Sequence, residues 1–146
     1  MSHTKLACHI VFATKERAPM LTNELRPDMH KFIGGIIRNI KGMPIEIGGV
    51  ADHVHVLAGV PPTLSVAQFI GKIKANSSRW AGIRTNGRFA WQVRYAAFSV
   101  SESDVESLRH YIRNQEEHHK TVSFKEEYIA LLRLHNIEFD EEHLWN

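Results

Sequence analysis

The run Ile45-Glu46-Ile47-Gly48-Gly49-Val50-Ala51-Asp52-His53-Val54-His55-Val56-Leu57-Ala58-Gly59-Val60 holds two strand-forming segments, Ile45 to Val50 and His53 to Val60, joined by Ala51-Asp52. So short a connection predicts a hairpin. Pro61-Pro62 end the second segment, because proline has no amide hydrogen to give to a ladder. Side chains alternate along a strand, so His53 and His55 share one face while Val54 and Val56 point to the other. With the valines toward a helical layer, the histidines project from the opposite sheet face. Leu57 joins them there, so that face must be partly covered, most simply by the third helix of the chain.

Working outward, Leu6 to Ala13 is short, rich in strand formers and followed by Pro19, which predicts a first strand. From an N-cap at Thr22 or Asn23, apolar residues recur at helical spacing (Leu25, Met29, Phe32, Ile33, Ile36, Ile37, Ile40) until Gly42 and Pro44. Beyond the hairpin, Val66, Phe69, Ile70 and Ile73 form the inner face of a second helix expected from near Ser65 to about Trp80. Val93 to Val100 reads as a fourth strand, and Ser103-Asp104-Val105-Glu106 as a capping box opening a third helix. A last helix is expected from about Phe124 to His135, within a tail spanning 121–146. The first six elements follow the βαββαβ order, so the predicted fold class is α+β and ferredoxin-like, an antiparallel sheet with helices on one face.

A chain of 146 residues with 43% apolar and 23% charged residues fits one domain, 1–146, with a core of ordinary size. No apolar run approaches the length of a membrane span, and Met1-Ser2-His3-Thr4-Lys5 has no signal-peptide core. The expected location is cytoplasmic. Cys8, alone in the chain, excludes an intrachain disulfide and reads as a small buried hydrophobe.

Charge is unevenly spread. No acid occurs from His53 to Ser101, where Lys72, Lys74, Arg79, Arg84, Arg88 and Arg94 fall, whereas Glu138, Asp140, Glu141 and Glu142 cluster near the end. The central third is therefore a candidate phosphate-binding surface, with Lys72, Lys74, Arg79, Arg84 and Arg88 as candidate DNA contacts. Trp80, Phe89 and Trp91 interleave with these bases and offer stacking surfaces for a single strand. A solvated basic face, with the aromatics in the core, fits the same pattern.

His-x-His alone is a weak metal signal, since it arises on many strands by chance. H-E-x-x-H and Cys-x-x-Cys are both missing, so any further ligand must come from elsewhere in the fold. In Leu108-Arg109-His110-Tyr111-Ile112-Arg113-Asn114-Gln115, positions 111 and 115 are one helical turn apart and about 40° offset around the axis, hence on one face. Tyr111 at the edge of the stripe Val105, Leu108, Ile112 also fits a half-buried packing residue. If that edge faces the histidines, Gln115 supplies a third, oxygen ligand and Tyr111 an attacking phenol. A cation there assists a phenol whose reference pKa is about 10.

With these residues in view, the chain resembles the single-tyrosine HUH transposases of the insertion-sequence 200/605 type. The resemblance runs through His9-Ile10-Val11-Phe12-Ala13-Thr14-Lys15, Ala51-Asp52-His53-Val54-His55-Val56-Leu57, Lys72-Ile73-Lys74-Ala75-Asn76-Ser77-Ser78-Arg79-Trp80 and Tyr111-Ile112-Arg113-Asn114-Gln115-Glu116-Glu117-His118-His119. It implies a prokaryotic, nucleoid-associated enzyme that cleaves and rejoins hairpin-bearing single-stranded DNA. It further implies a homodimer in which one subunit's tyrosine helix can complete its partner's site. By residue match, His53, His55 and Gln115 would hold Mg²⁺ or Mn²⁺, and Tyr111 would take the 5′ phosphate. Asp52 is either a turn residue or a partner that orients a histidine. His118 and His119 are expected in solvent or against DNA, and the acidic tail is given no catalytic role. Two other readings stay open: a single-stranded nucleic-acid binder without catalysis, and a domesticated enzyme that processes chromosomal repeat hairpins.

Overall fold

Strand β1 (Ala7–Ala13) lies between β3 (His53–Gly59) and β4 (Ala96–Ser99), and β2 (Met43–Val50) flanks β3, giving the order β2-β3-β1-β4 with every neighbouring pair antiparallel. This is the sheet order of the predicted ferredoxin-like α+β fold. The structure is a computed structural model that describes residues 2–145; Met1 and Asn146, the ends of the expected 1–146 unit, lie outside them. Helix α1 (Leu25–Asn39) connects β1 to β2, and α2 (Val66–Arg84) connects β3 to β4. After β4 come α3 (Val105–Arg113), the one-turn α4 (Gln115–His118) and α5 (Phe124–Leu134). No helix among the described residues is long and apolar enough to cross a membrane.

Alternation sorts the sheet's side chains into two cores. Ile10, Phe12, Val54 and Val56 pack with Ile33 and Ile37 of α1 and with Phe69, Ile70 and Ile73 of α2. Trimming one such buried side chain to alanine costs about 2–5 kcal/mol. On the other face Val11, Ala13, Ala96 and Phe98 meet Phe124, Tyr128 and Leu132 of α5. In the antiparallel register Val11 opposes His55 and Ala13 opposes His53, so both histidines stand on this second face, as their spacing requires. The face is covered by α5 as well as by the α3 region.

Several boundaries differ from expectation for identifiable reasons. Helix α2 starts where foreseen, at a capping box between Ser65 and Gln68, but continues to Arg84. Strand β4 is only four residues long, because Lys74 Nζ draws the carbonyls of Gln92, Val93 and Arg94 away from any ladder, at 2.5, 3.0 and 3.2 Å. The Ser103–Glu106 capping box does not form. Asp104 occupies the N-cap without a side-chain cap bond, and its carboxylate instead accepts from Ser101 at 2.9 Å. The helix bearing Tyr111 ends at Arg113, and Asn114 (φ −98°, ψ 23°) leaves helical geometry before α4 begins with Gln115.

Candidate active site

The imidazoles of His53 and His55 are wholly buried, and each is fixed through its Nδ1. His53 Nδ1 lies 2.8 Å from Asp52 Oδ1, so Asp52 orients the histidine in addition to sitting in the turn. His55 Nδ1 lies 2.8 Å from Nε2 of His9 on the neighbouring strand. The Nε2 atoms turn inward to one carboxylate oxygen, Oε1 of Glu127 on α5, at 3.3 Å for His53 and 3.0 Å for His55. His119 Nε2 reaches the same oxygen at 3.1 Å while its Nδ1 meets the Val122 carbonyl at 2.7 Å. The potential ligand atoms of His53, His55, His119 and Glu127 all lie within 4.8 Å of one another.

Gln115, buried, points its amide oxygen at the same centre, 3.0 Å from His53 Nε2 and 2.9 Å from His119 Nε2. Its amide nitrogen donates to Glu127 Oε2 at 3.0 Å. The Tyr111 hydroxyl donates to that oxygen too, and its ring meets His55 edge-on, centroids 5.8 Å apart. Tyr111, Gln115, His53 and His55, named from sequence, therefore converge within one chain, although the helix breaks between the first two. His118 Nε2 stands 3.3 Å from Glu127 Oε2 without the alignment of a hydrogen bond.

Local packing explains this convergence. A Cβ at Gly48 would stand 2.4 Å from the Ile112 carbonyl oxygen, so glycine is what lets α3 approach β2. Glu46, two residues earlier on β2, grips α3 through Arg113 Nε at 2.9 Å and Arg109 Nε at 3.5 Å. Gly49 has φ +154° and leaves no room for a side chain beside the His53 carbonyl. Helix α5 begins with a Ser123–Glu126 capping box, and Phe124 stacks on His53 with ring centroids 3.9 Å apart, which aims Glu127 at the histidines.

Electrostatics follow from burial and from these contacts. Burial opposes charge on His53, but hydrogen bonds to Asp52 and Glu127 outweigh it and raise its pKa. Burial leads at His55, whose pKa falls to about 4 despite Glu127; His9, buried beside His55, falls to about 3. Burial also disfavours the Glu127 carboxylate, yet the bonds from His53, His55 and Tyr111 overcome it and hold the group ionised far below the usual carboxylate range. For Tyr111, burial and then the Glu127 charge push the phenol well above its ordinary value. The resting site thus holds a neutral phenol against a carboxylate.

One expectation is overturned. His119 is neither solvated nor free for DNA: its side chain is 9% exposed and built into the cluster. The tail, for which no catalytic role was expected, also places Glu127, 1% exposed, among the histidines. A signal for His119 was available, because it follows Gln115 by four residues, the spacing that puts side chains on one helix face. No local pattern singles out Glu127.

The basic residues are not brought to this site. Lys72, Lys74, Arg79 and Arg84 lie on α2, across the sheet from the histidines, and Arg88 in the loop after it. Lys74 clamps three carbonyls, while Lys72, Arg79, Arg84 and Arg88 are exposed. Arg84 sits 4.2 Å over the Trp80 ring, whose other neighbour is Phe32, stacked at 4.9 Å. Phe89 and Trp91 are not stacking platforms: both are buried, and Trp91 donates to Ser77 Oγ at 2.9 Å.

Comparison with known proteins bears on this arrangement. Residues 2–115 match the sequence profile described as IS200-like transposase. The chain is 38% identical over 84 residues to the transposase for insertion sequence element IS200 of Salmonella typhimurium strain LT2, an alignment covering 53% of this chain and 53% of that protein. It thus spans about half the length of the curated IS200 relatives it matches. A solved structure described as a transposase of Deinococcus radiodurans R1 superposes with TM-score 0.64 and 25% identity, over 78% of this chain and 93% of that one. A REP-associated tyrosine transposase bound to a REP hairpin shares the fold at TM-score 0.62 and 16% identity, over 84% of this chain and 73% of that one.

Proposed function

From the chain's membership of the IS200-like transposase family, we propose that it cuts and rejoins single-stranded DNA at hairpin-bearing ends through a covalent bond between Tyr111 and a 5′ phosphate. The observation that carries this reading is the meeting of the Tyr111 hydroxyl with the His53 and His55 imidazoles on the one carboxylate of Glu127. A nucleophile and a group of cation ligands that close together can act on one phosphodiester.

The donors fit a divalent cation. Two imidazole nitrogens and an amide oxygen face one point, and a carboxylate oxygen already lies among them. His53, His55 and Gln115 would hold Mg²⁺ or Mn²⁺, which when bound would polarise the phosphoryl oxygens and offset charge developing in the transfer. Tyr111 forms the new bond to phosphorus as the bond to the 3′ oxygen breaks. Glu127 Oε2, to which the hydroxyl already donates, orients the phenol, whose proton passes to water, and the leaving 3′ oxygen takes a proton from water. The 5′ end stays on Tyr111, and attack by a 3′ hydroxyl reverses these bond changes and rejoins a strand. Because the ester stores the energy of the broken bond, no nucleotide triphosphate is consumed.

Residues 1–146 act in this proposal as one catalytic unit and associate as a homodimer. Tyr111 serves the imidazoles of its own chain, which it already meets. The exposed bases Lys72, Arg79, Arg84 and Arg88 hold DNA backbone away from the cleavage point. A hairpin is the substrate to try first, since a protein of the same fold is described as bound to one. Incubation with hairpin-tailed single strands and Mg²⁺ or Mn²⁺ is expected to trap a covalent adduct that Tyr111→Phe abolishes. An adduct undiminished in that variant refutes the nucleophile.

A further inference from the structure

His119 and Glu127 both lie beyond residue 115, the last residue matched to the family profile, yet both stand in the cluster. The three imidazoles are prepared alike. Each commits Nδ1 to a fixed partner, Asp52 for His53, His9 for His55 and the Val122 carbonyl for His119, and each turns Nε2 to one point. Metal-binding histidines carry this pattern, because a hydrogen bond at one ring nitrogen sets the tautomer that frees the other for the ion. For His55, freeing Nε2 places the hydrogen on Nδ1, where His9 Nε2 accepts it. Glu127 Oε1 lies 3.0–3.3 Å from all three Nε2 atoms, a separation that closes around a cation with small side-chain adjustments.

We infer that the divalent ion of this site is held by His119 and Glu127 as well as by His53 and His55, in a centre of three imidazoles and one carboxylate with the Gln115 amide oxygen beside it. The inference rests on the cleavage reading above and extends it in two respects. It makes α5 part of the active site. It also narrows the ion, since imidazole-rich sets favour manganese and later first-row metals, whereas Mg²⁺ prefers oxygen donors and keeps its water. Within this centre Glu127 divides its work: Oε1 binds the ion and Oε2 holds the Tyr111 hydroxyl, so the nucleophile and the ion share one anchor.

Titration of the metal-free full chain with Mn²⁺ alone and with Mg²⁺ alone, followed by calorimetry, is expected to show Mn²⁺ bound at least about tenfold more tightly. Glu127→Gln, which keeps shape and removes charge, and His119→Ala should each weaken Mn²⁺ by about a hundredfold. Electron spin-echo spectra of Mn²⁺ on the unaltered chain should show three histidine nitrogens, which needs no variant to fold. Spectra with two histidines, or wild-type affinity in both variants, overturn the inference. The Tyr111 adduct, assayed in parallel, separates the two ideas. An adduct formed with a two-histidine ion sinks this inference and keeps the cleavage reading, while a three-histidine ion without any adduct does the reverse.

Discussion

Gly48→Ala tests whether the placement of Tyr111 depends on one close approach between β2 and α3. The added Cβ would stand 2.4 Å from the Ile112 carbonyl oxygen and 2.9 Å from Ile112 Cγ2. Ordinary carbon contacts lie near about 3.5 Å, so either α3 or the strand must yield by about 1 Å. The strand is the stiffer side, being laddered to β3 on its inner edge with Gly48 opposite His55. The displacement therefore falls on the turn that carries Ile112 and, next to it, Tyr111. Overpacking of this kind costs about 1–3 kcal/mol of stability. A nucleophile displaced by about 1 Å loses about a hundredfold in rate. Single-turnover formation of the Tyr111 adduct, measured beside the thermal melting of the same sample, should show a rate loss well beyond the fraction of unfolded protein. Unchanged adduct formation with a modest drop in melting temperature would refute the claim that this contact sets the tyrosine's position.

Other perturbations probe separate parts of the structure. Mixing Tyr111→Phe with His55→Ala subunits should give no recovery of cleavage, because each chain's tyrosine meets its own imidazoles; recovery in mixed dimers would establish action in trans. In chelator-treated protein, melting temperature should fall as pH drops from about 6.5 toward 4. His55 titrates near 4 and His9 near 3 when folded, against 6.5 for the free group. The unfolded chain thus binds more protons in that window, about 1.4 kcal/mol per group per pH unit. The raised pKa of His53 acts in the opposite sense, adding stability below 6.5 that is lost as pH rises through its folded value. A flat profile between pH 6.5 and 4 would contradict the buried neutral histidines. Lys74→Met should lower stability by about 0.5–1.5 kcal/mol, chiefly through the part-buried Gln92 carbonyl, since water replaces the donor at the exposed carbonyls of Val93 and Arg94, with little effect on the salt dependence of DNA binding. Lys72→Ala and Arg79→Ala should each reduce that salt slope by about one, if the exposed face of α2 contacts phosphates.

The parts of the molecule legible in sequence are those set by local periodicity. The period of two in His53-Val54-His55-Val56 was enough to put both imidazoles on one face, and the helical stripes of α1 and α2 were enough to choose which face the valines would pack against. The spacing of Tyr111 and Gln115 brought them together even though Asn114 interrupts the helix. What escaped was tertiary. Burial of Trp91 depends on Ser77, fourteen residues away, accepting its indole hydrogen, and a run of alternating bases and aromatics looks the same whether the ring is buried or exposed. Lys74 reads as a phosphate ligand until the carbonyls of 92–94 are seen to need it. Glu127 sits in a helix whose sequence reports only a cap and an apolar face, and nothing local marks which of its acids turns inward.

Glu127 also explains how three histidines can be gathered in a dry pocket at all. Imidazoles whose Nε2 atoms converge repel one another when more than one carries charge, and a buried site has little water to screen them. An ionised carboxylate at their meeting point supplies the opposing charge. The apolar contacts of Phe124, Tyr128 and Leu132 with the sheet pull that carboxylate out of water. The core beneath α5 and the chemistry above it therefore depend on the same docking event: helix packing drives a charge inward, and the charge makes the histidine cluster stable. An arrangement of one negative group among several inward-facing ring nitrogens is poised to take up a divalent ion, since the ion satisfies the same carboxylate and the same ring nitrogens at once. In this way the tail joins the fold of the chain to the preparation of its tyrosine.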